Sequence, residues 1–115
     1  MEIGIDIEQN NRFKDFSAEK LNKIFTQKEI DYAMKFIDYE KHFCAFWCVK
    51  EAVIKAFSNK MLNFKDIQID HAENGKPFLI KTPQIKNELE RVSLNEIKIS
   101  ISHSKDYSVA TCLIY

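Results

Sequence analysis

Isoleucine alternates with other residues near the start of the chain, at positions 3, 5 and 7. A period of two is typical of a half-buried β-strand, so this stretch predicts a strand that buries its isoleucines. The alternation places Asp6 and Glu8 together on the opposite face. Such a pair of carboxylates is either the solvated face of an edge strand or one part of a polar site.

The middle of the chain predicts helices. Residues 10–24 have the pattern of short, polar helical turns. Thr26 followed three residues later by Glu29 is a capping box, which predicts a helix from residue 27 to about residue 36. An apolar pattern of helical period then predicts a long helix over residues 39–58.

The long helix is apolar around most of its circumference, which is typical of a buried helix. Glu51 and Lys55 lie one turn apart on its narrow polar stripe, so both side chains are expected to line a cleft. The alternative is an ordinary surface ion pair between the two. Lys50 falls among apolar positions of the same helix, and its long side chain is expected to snorkel toward solvent.

The C-terminal half predicts two hairpins separated by a short helix. Residues 67–70 and 76–80 are strands joined by an Asn-Gly turn, residues 83–92 are a helix, and residues 97–103 and 107–115 are strands joined by a turn at 104–106. Strands joined mostly by hairpins imply an antiparallel sheet. The chain is therefore expected to be one α+β domain, residues 1–115, with helices packed on one face of the sheet.

Composition excludes several classes of function. The 115 residues are 45% hydrophobic and 30% charged with a formal net charge of zero, so there is no basic field for nucleic acid or a membrane surface. No apolar run approaches the length of a membrane span, and the first residues do not have the pattern of a signal peptide. Cys44, Cys48 and Cys112 are expected to be reduced thiols in a cytoplasmic protein, not metal ligands.

Three carboxylates and two basic side chains are the candidate chemistry. Asp6, Glu8 and Glu51 offer the oxygen ligands that Mg²⁺ prefers, often together with substrate phosphates. Lys55 and His103 suit the phosphates themselves. His103 takes the place where the isoleucine series of its strand would have continued. It is therefore either a site residue or a satisfied core histidine at the end of a strand.

Five segments, in order, resemble the signature of the 4′-phosphopantetheinyl transferases. They read GIDIE at 4–8, FTQKE at 25–29, WCVKEAVIKA at 47–56, NGKP at 74–77 and SISHS at 100–104. The chain length and the Ser-His-Ser near the C-terminal end resemble the small holo-[acyl-carrier-protein] synthase type. Phe46 departs from that type, in which many members carry an arginine. The segments at 4–8 and 46–51 look more like the larger, broad-specificity transferases, which leaves the choice of carrier protein open.

The resemblance implies an activity and a role for each candidate residue. The phosphopantetheine arm of coenzyme A would be transferred to a serine of an apo acyl carrier protein, with release of adenosine 3′,5′-bisphosphate. Asp6 and Glu51 would ligate Mg²⁺, and Glu8 would be a further ligand, directly or through water. Lys55 would neutralise the pyrophosphate, and His103 would hydrogen-bond a phosphate. The serine proton would pass to Glu51 or to a metal-bound water.

The resemblance also implies partners, in fatty acid biosynthesis or in secondary metabolism. Lys76 would lie near the nucleotide end of coenzyme A. In the small type the site lies between subunits of a homotrimer, so the carboxylates and Lys55 would come from one subunit and His103 from its neighbour. Arg12 matches a basic residue that meets the acidic carrier protein. The same patch would be extended by Lys14, Lys20 and Lys23, unless these are merely a solvated helical face.

Two other functions fit fewer of these features. A metal-dependent phosphodiesterase or nuclease would use the same three carboxylates, but the neutral charge and the lack of a basic stripe argue against nucleic acid. A non-catalytic subunit that only binds carrier protein is the third alternative. The intact set of Asp6, Glu51, Lys55 and His103 argues against it.

Overall fold

The computed structural model describes all residues from 1 to 115. Its elements are β1 Glu2–Gln9, α1 Ala18–Ile24, α2 Gln27–Ala33, α3 Tyr39–Phe57, β2 Ile69–His71, β3 Pro77–Leu79, α4 Pro83–Arg91, β4 Ile97–His103 and β5 Tyr107–Ile114. Short 3₁₀ helices lie at Asn10–Phe13 and Phe64–Asp66. None of the helices combines the length and the apolar character that crossing a membrane requires.

The strands form two antiparallel sheets, where the sequence predicted one. A three-stranded sheet has the order β1-β5-β4, and the hairpin of β2 and β3 stands as a separate two-stranded sheet. The hairpin strands have only three residues each, and Pro77 at the start of β3 has no amide proton to donate to a neighbouring strand. The α+β class is confirmed, with β5 as the central strand of the larger sheet.

Helix α3 crosses the inner face of the three-stranded sheet and forms the centre of the core. Gly4 of β1 sets the distance between strand and helix. A Cβ atom at that position would overlap the backbone carbonyl oxygen of Ala52 and would lie 2.8 Å from the backbone nitrogen of Ala56. Glycine and alanine therefore allow the two backbones to approach closely, and this contact brings the residues after Gly4 against the polar stripe of α3.

The close approach of β1 to α3 reverses the predicted burial of the first strand. Asp6 and Glu8 do share a face, but it is the inner face, which they share with buried Gly4. Ile3, Ile5 and Ile7 point outward and are 69%, 57% and 62% exposed. The prediction of a buried isoleucine face was therefore wrong for this chain. The inner face of β1 lies against a helix through glycine, and its isoleucines form an apolar outer surface.

The predicted helices are present with slightly different ends. Thr26 and Glu29 form the expected capping box, in which each side chain accepts a hydrogen bond from the other residue's backbone amide. Helix α2 ends at Ala33, earlier than predicted, and α3 ends at Phe57, followed by Ser58 in the left-handed conformation with a φ of 52°. The second strand starts later than predicted because the preceding residues form the 3₁₀ helix Phe64–Asp66.

Lys50 is completely buried, so the prediction that it snorkels was wrong. Its ammonium lies 2.9 Å from the carboxylate of Glu29, which is 1% exposed. It also donates to the carbonyl oxygens of Phe64 and Ile67 at 2.8 and 2.7 Å. The other carboxylate oxygen of Glu29 accepts from the amide of Ile69 at 2.9 Å. Because both charges are fully hydrogen-bonded, this pair joins α2, α3 and the start of the β2–β3 hairpin without reaching solvent.

Candidate active site

Asp6, Glu51 and Lys55 meet where β1 crosses α3. The Nζ atom of Lys55 lies 3.0 Å from Oδ1 of Asp6 and donates to the carbonyl oxygen of Ile5 at 2.9 Å. The side chain of Asp6 is 16% exposed and that of Lys55 is 53% exposed, so the pair lies at the surface where the strand and the helix cross. Lys55 therefore pairs with the strand, and the ordinary Glu51–Lys55 surface pair is not formed.

Glu51 lies close enough to Asp6 for the two carboxylates to influence each other. Burial raises the pKa of Glu51 above its ordinary value, and the charge of Asp6 raises it further, while Lys55 and Arg12 act in the opposite direction. Two partly desolvated carboxylates side by side hold an excess of negative charge. A divalent cation with oxygen ligands is the species that such a pair suits.

Glu8 faces the same side as Asp6 but is bound to Arg12. The two side chains form an ion pair of 2.6 Å, and the guanidinium of Arg12 lies 4.6 Å from the ring centre of Trp47. Burial alone would raise the pKa of Glu8. The hydrogen bond from the amide of Gln9 and the contact with Arg12 outweigh it and hold the pKa below its usual value. Glu8 is thus ionised and already carries a cationic partner.

The three predicted carboxylate ligands do not form a closed metal cage. No group of three or more His, Cys, Asp or Glu side chains lies close enough together to hold a metal ion. Asp6 and Glu51 are the two carboxylates that lie close enough for the charge of one to raise the pKa of the other. Mg²⁺ is commonly bound in proteins by one or two carboxylates together with substrate phosphates and waters, so this donor set fits that ion in the presence of a phosphate ligand.

His103 lies at the end of β4, exposed to solvent, and is not the buried core histidine that the sequence left open. Its ring nitrogen Nδ1 lies 2.9 Å from the hydroxyl of Ser108 on β5. Burial of part of the ring lowers the pKa of His103, and His42 and Lys41 lower it further, while Asp38 acts in the opposite direction. His103 is therefore uncharged near neutral pH in the free chain.

His103 lines a cavity of about 250 Å³ between α3, β4 and the β2–β3 hairpin. All three histidines of the chain meet here, since His42 and His71 line the same cavity. Tyr32 stacks on His71 with a centroid distance of 3.8 Å. Lys76, from the Asn-Gly turn, also borders this space. The cavity thus offers aromatic surfaces and several nitrogen donors, which suit the base and the phosphates of a nucleotide.

Within one chain, the carboxylates and His103 lie on opposite edges of the same sheet. Asp6 and Glu8 belong to β1, His103 belongs to β4, and β5 runs between them. The register places Glu8, Ser108 and His103 in one row across the three strands. All lie on the face that carries α3, with the width of the sheet between Glu8 and His103. The structure therefore brings Asp6, Glu51 and Lys55 together, and it places His103 and Lys76 together elsewhere.

Of the basic residues predicted to meet a partner, Arg12 lies beside the carboxylates, through its ion pair with Glu8. Arg12 follows β1 in the first 3₁₀ helix, and its side chain is 44% exposed. Lys20 and Lys23 lie on the exposed surface of α1. Lys14 is exposed between these two segments, where its carbonyl oxygen accepts a hydrogen bond from the hydroxyl of Tyr39 at 2.7 Å.

Several residues around the two groups were missed by the sequence reasoning. The partner of His103, Ser108, occupies an inward position of β5 in a series that is otherwise Ala110, Cys112 and Ile114. A hydroxyl residue in a buried series was the available signal. For His42 and His71 no such signal exists, because their meeting at the cavity depends on how α3 packs against the β2–β3 hairpin.

Comparison with known sequences matches nearly the whole chain. The sequence model of the 4′-phosphopantetheinyl transferase superfamily matches residues 2–112. The holo-[acyl-carrier-protein] synthase of Aquifex aeolicus (strain VF5) is 38% identical over 121 residues, which cover 97% of this chain and 96% of that protein. The protein of the same name from Thermoanaerobacter sp. (strain X514) is 34% identical over 116 residues, 96% of this chain and 84% of that protein.

Solved structures agree with this relationship. The Helicobacter pylori holo-[acyl-carrier-protein] synthase in complex with coenzyme A superimposes with a TM-score of 0.83 at 26% identity, covering 98% of this chain and 99% of that chain. The fold is shared with the Neisseria meningitidis holo-[acyl-carrier-protein] synthase, with a TM-score of 0.87 at 24% identity and coverage of 99% and 97%. The family match, the relatives and the fold agree, and the chain belongs to the 4′-phosphopantetheinyl transferase superfamily.

Proposed function

We propose that this chain transfers the 4′-phosphopantetheine group of coenzyme A to a serine hydroxyl of an apo acyl carrier protein and releases adenosine 3′,5′-bisphosphate. The observation that carries this proposal is the meeting of Asp6, Glu51 and Lys55 at the crossing of β1 and α3. Relatives at 34% and 38% identity are named holo-[acyl-carrier-protein] synthase. Coenzyme A is the ligand named for the similar Helicobacter pylori structure.

Asp6 and Glu51 are proposed to hold Mg²⁺. Their shared negative charge, which raises the pKa of Glu51, favours a divalent cation between them. When bound, Mg²⁺ supplies positive charge to the pyrophosphate oxygens of coenzyme A. Glu8 is proposed as an outer carboxylate, because Arg12 already occupies one of its oxygens at 2.6 Å.

Lys55 is proposed to neutralise the pyrophosphate. Its side chain is half exposed and is held by Asp6 and by one backbone carbonyl, so it can turn toward a phosphate that approaches from solvent. In the reaction, the serine oxygen bonds to the phosphorus that carries pantetheine. The bond from that phosphorus to the bridging oxygen breaks, and adenosine 3′,5′-bisphosphate leaves with the electron pair. The serine proton passes to a base, and the chain contributes mainly position and charge.

The cavity that contains His103 and Lys76 is proposed to receive the nucleotide end of coenzyme A. Both residues border it together with the stacked pair of Tyr32 and His71. Phe46, which stands where many small synthases carry an arginine, is 1% exposed and packs 5.9 Å from the ring centre of Tyr32. In this chain, then, a phosphate in the cavity meets imidazole and ammonium groups, not a guanidinium.

We further propose a homotrimer whose active sites are shared between subunits. Asp6 and His103 lie on opposite edges of the sheet in one chain, so a site that needs both requires a second copy. The outer face of β1 offers an apolar surface for such an assembly, with Ile3, Ile5 and Ile7 at least 57% exposed. A contiguous exposed apolar surface of this kind is typical of an interface between proteins.

The carrier protein is proposed to dock beside Asp6 and Glu51 through Arg12. The further cations Lys14, Lys20 and Lys23 are proposed to extend this contact. Acyl carrier proteins are acidic, and these exposed cations give a local attraction on a chain of zero net charge. We place the reaction in the cytoplasm, in fatty acid biosynthesis or secondary metabolism. The three cysteines are buried free thiols, in keeping with a reducing compartment.

One experiment tests this function directly. The protein is incubated with coenzyme A, Mg²⁺ and several apo carrier proteins, and each carrier is weighed intact by mass spectrometry. A mass gain of one phosphopantetheine on one carrier, absent when Mg²⁺ is chelated and absent when the acceptor serine is replaced by alanine, is the expected result. No gain on any carrier, from an enzyme that binds coenzyme A, would contradict the proposal and favour a non-catalytic role.

A further inference from the structure

A buried chain of hydrogen bonds supports His103 from behind. The hydroxyl of Ser108 lies 2.9 Å from Nδ1 of His103 and 2.6 Å from Oδ1 of Asn10. Ser108 is 1% exposed and Asn10 is 4% exposed. The other ring nitrogen of His103, Nε2, has no hydrogen-bond partner in the protein and is left for the cavity. The order of donors and acceptors along these hydrogen bonds determines which ring nitrogen of His103 carries the proton.

The orientation of Asn10 is fixed by two backbone carbonyls. Its Nδ2 group donates to the carbonyl oxygens of Ser104 and Lys105 at 3.3 and 3.2 Å. Carbonyl oxygens only accept, so the NH₂ end of the amide must face them. The oxygen Oδ1 therefore faces Ser108, and it too can only accept.

Ser108 has a single hydroxyl proton, and the two oxygen atoms near its hydroxyl, apart from His103, can only accept it. Oδ1 of Asn10 lies at 2.6 Å, and the carbonyl oxygen of Lys41 lies at 3.5 Å. Both are acceptors, so the hydroxyl donates to one of them and accepts from His103. If the hydroxyl donated to His103 instead, two lone pairs would face each other at 2.6 Å in a buried site.

We propose that Asn10 and Ser108 are positioning residues that hold neutral His103 with its proton on Nδ1. Its Nε2 atom then faces the cavity as a bare lone pair, and it can donate to a phosphate only after the ring takes up a proton. The identity of that phosphate as part of coenzyme A rests on the proposed function. The consequence is that coenzyme A binding is coupled to protonation of His103.

The groups around His103 keep the free ring neutral. His42 and Lys41 of α3 face it, with Asp38 just before that helix, and His71 and Lys76 border the cavity from the hairpin side. Burial is the largest cause that lowers the pKa of His103, His42 and Lys41 of α3 lower it further, and Asp38 raises it. A bound phosphate stabilises the protonated ring, so affinity is highest below the free pKa of His103. The affinity falls as pH rises from the pKa of His103 in the free protein to its pKa in the complex.

The first test is the tautomer itself, read from the ¹⁵N chemical shifts of the histidine rings in the ligand-free protein. Wild type is expected to show His103 with Nδ1 protonated and Nε2 bare. Ser108→Ala and Asn10→Ala are expected to move the proton toward Nε2, while Ser108→Thr, which keeps the hydroxyl, retains the wild-type pattern. Ser102→Ala is the matched control, because it removes a hydroxyl next to His103 on the other face of β4. A wild-type spectrum with the proton on Nε2 overturns the proposal, whatever the variants do.

The second test measures the dissociation constant of coenzyme A against pH for wild type and Ser108→Ala. The variant can donate from a neutral ring, so above about pH 8 it should bind about 3- to 10-fold more tightly than wild type, the range expected for one gained hydrogen bond. Below the pKa of His103 in the free protein that advantage should vanish, because both rings are protonated. The titration of the phosphates of coenzyme A is common to both proteins and cancels in the ratio. A ratio that stays constant across pH, including a uniform loss of affinity, would show that Ser108 is only structural.

The two tests separate this inference from the proposed function. The tautomer is measured without any ligand, so an Nδ1-protonated ring in a protein that does not bind coenzyme A would count against the proposed function and leave the support of His103 by Asn10 and Ser108 standing. Transfer to a carrier protein by an enzyme whose ring carries its proton on Nε2 would refute the inference and leave the proposed function standing.

Discussion

Lys55 forms its ion pair with Asp6 of the neighbouring strand, at 3.0 Å, and not with Glu51 one turn before it on the same helix. The consequence for Glu51 is a partly desolvated carboxylate without a cationic partner at contact distance, beside a second carboxylate. A surface ion pair would have explained the spacing of Glu51 and Lys55 without any function. In the arrangement found instead, Asp6 and Glu51 together carry more negative charge than Lys55 neutralises.

Asp6→Ala and Glu51→Ala are each expected to reduce transfer by at least about 100-fold, because each removes a carboxylate from the charge that positions the metal and the pyrophosphate. Glu8→Ala should have a smaller effect, since Arg12 already pairs with that side chain. Turnover is measured as a function of Mg²⁺ concentration, and unfolding is followed in parallel. Glu2→Ala, an exposed carboxylate on the same strand, is the control. Near-normal turnover in either main variant, with unchanged Mg²⁺ dependence, would refute the site assignment.

Lys50 and Lys55 lie on one helix, but their substitution should affect different properties. Replacing Lys50 should lower stability, and replacing Lys55 should lower activity. Lys50→Met leaves the carboxylate of Glu29 buried without its cation, and is expected to lower the free energy of unfolding by about 3–5 kcal/mol. Lys55→Met removes a half-exposed pair, worth about 1 kcal/mol or less, but removes the charge proposed to face the pyrophosphate. Denaturant unfolding and turnover per folded molecule separate the two effects. If Lys50→Met is as stable as wild type, the buried pair does not contribute what its contacts imply.

Gly4→Ala is expected to destabilise the fold strongly, because the added methyl group overlaps backbone atoms of α3 and no flexible side chain can move away. Overpacking of this kind costs about 1–3 kcal/mol or more. Gly75→Ala meets no atom within 4 Å, but its φ of +84° is unfavourable for alanine, at about 1–2 kcal/mol. Thermal unfolding compares the two. A Gly4→Ala protein with unchanged stability and full activity would show that β1 need not approach α3 so closely.

The local structure of this chain could be predicted from its sequence, but the burial of its faces could not. The capping box at Thr26 and Glu29 and the Asn-Gly turn depend on neighbouring residues, and both are present. The alternation in β1 correctly placed Asp6 beside Glu8. It did not indicate which face is buried, because Gly4 and Ala52 decide that by allowing backbone contact across 48 positions of sequence.

The candidate site was predictable in part for the same reason. Glu51 and Lys55 share a helix, so their spacing alone put them on one stripe. The partner of Lys50 was not predictable, because Glu29 already had a local role as the capping residue of α2. The support of His103 by Asn10 and Ser108 depends on the register of β5 with both of its neighbours, which no single segment of sequence contains.

Arg12→Glu is expected to raise the KM for the carrier protein and to leave the KM for coenzyme A nearly unchanged. An exposed cation at the edge of a site acts mainly by steering an acidic partner, so the effect should shrink as salt is added. The substitution also places a second carboxylate beside Glu8, and Arg12→Gln, which removes the charge without reversing it, is therefore measured alongside. Equal damage to both KM values, or damage that does not depend on salt, would argue that Arg12 acts through its stack on Trp47.

One active site is proposed to take Asp6, Glu51 and Lys55 from one chain and His103 from another. Glu51→Ala and His103→Ala, each inactive alone, are co-expressed with different tags, and the mixed assembly is purified through both tags. In a trimer that contains both variants, one of the three interfaces has both halves intact, so about one third of wild-type activity is expected for the doubly purified assembly. Light scattering should report a trimer. Activity of the mixture no greater than that of the two variants alone, or a fully active wild-type monomer, would contradict an active site shared between subunits.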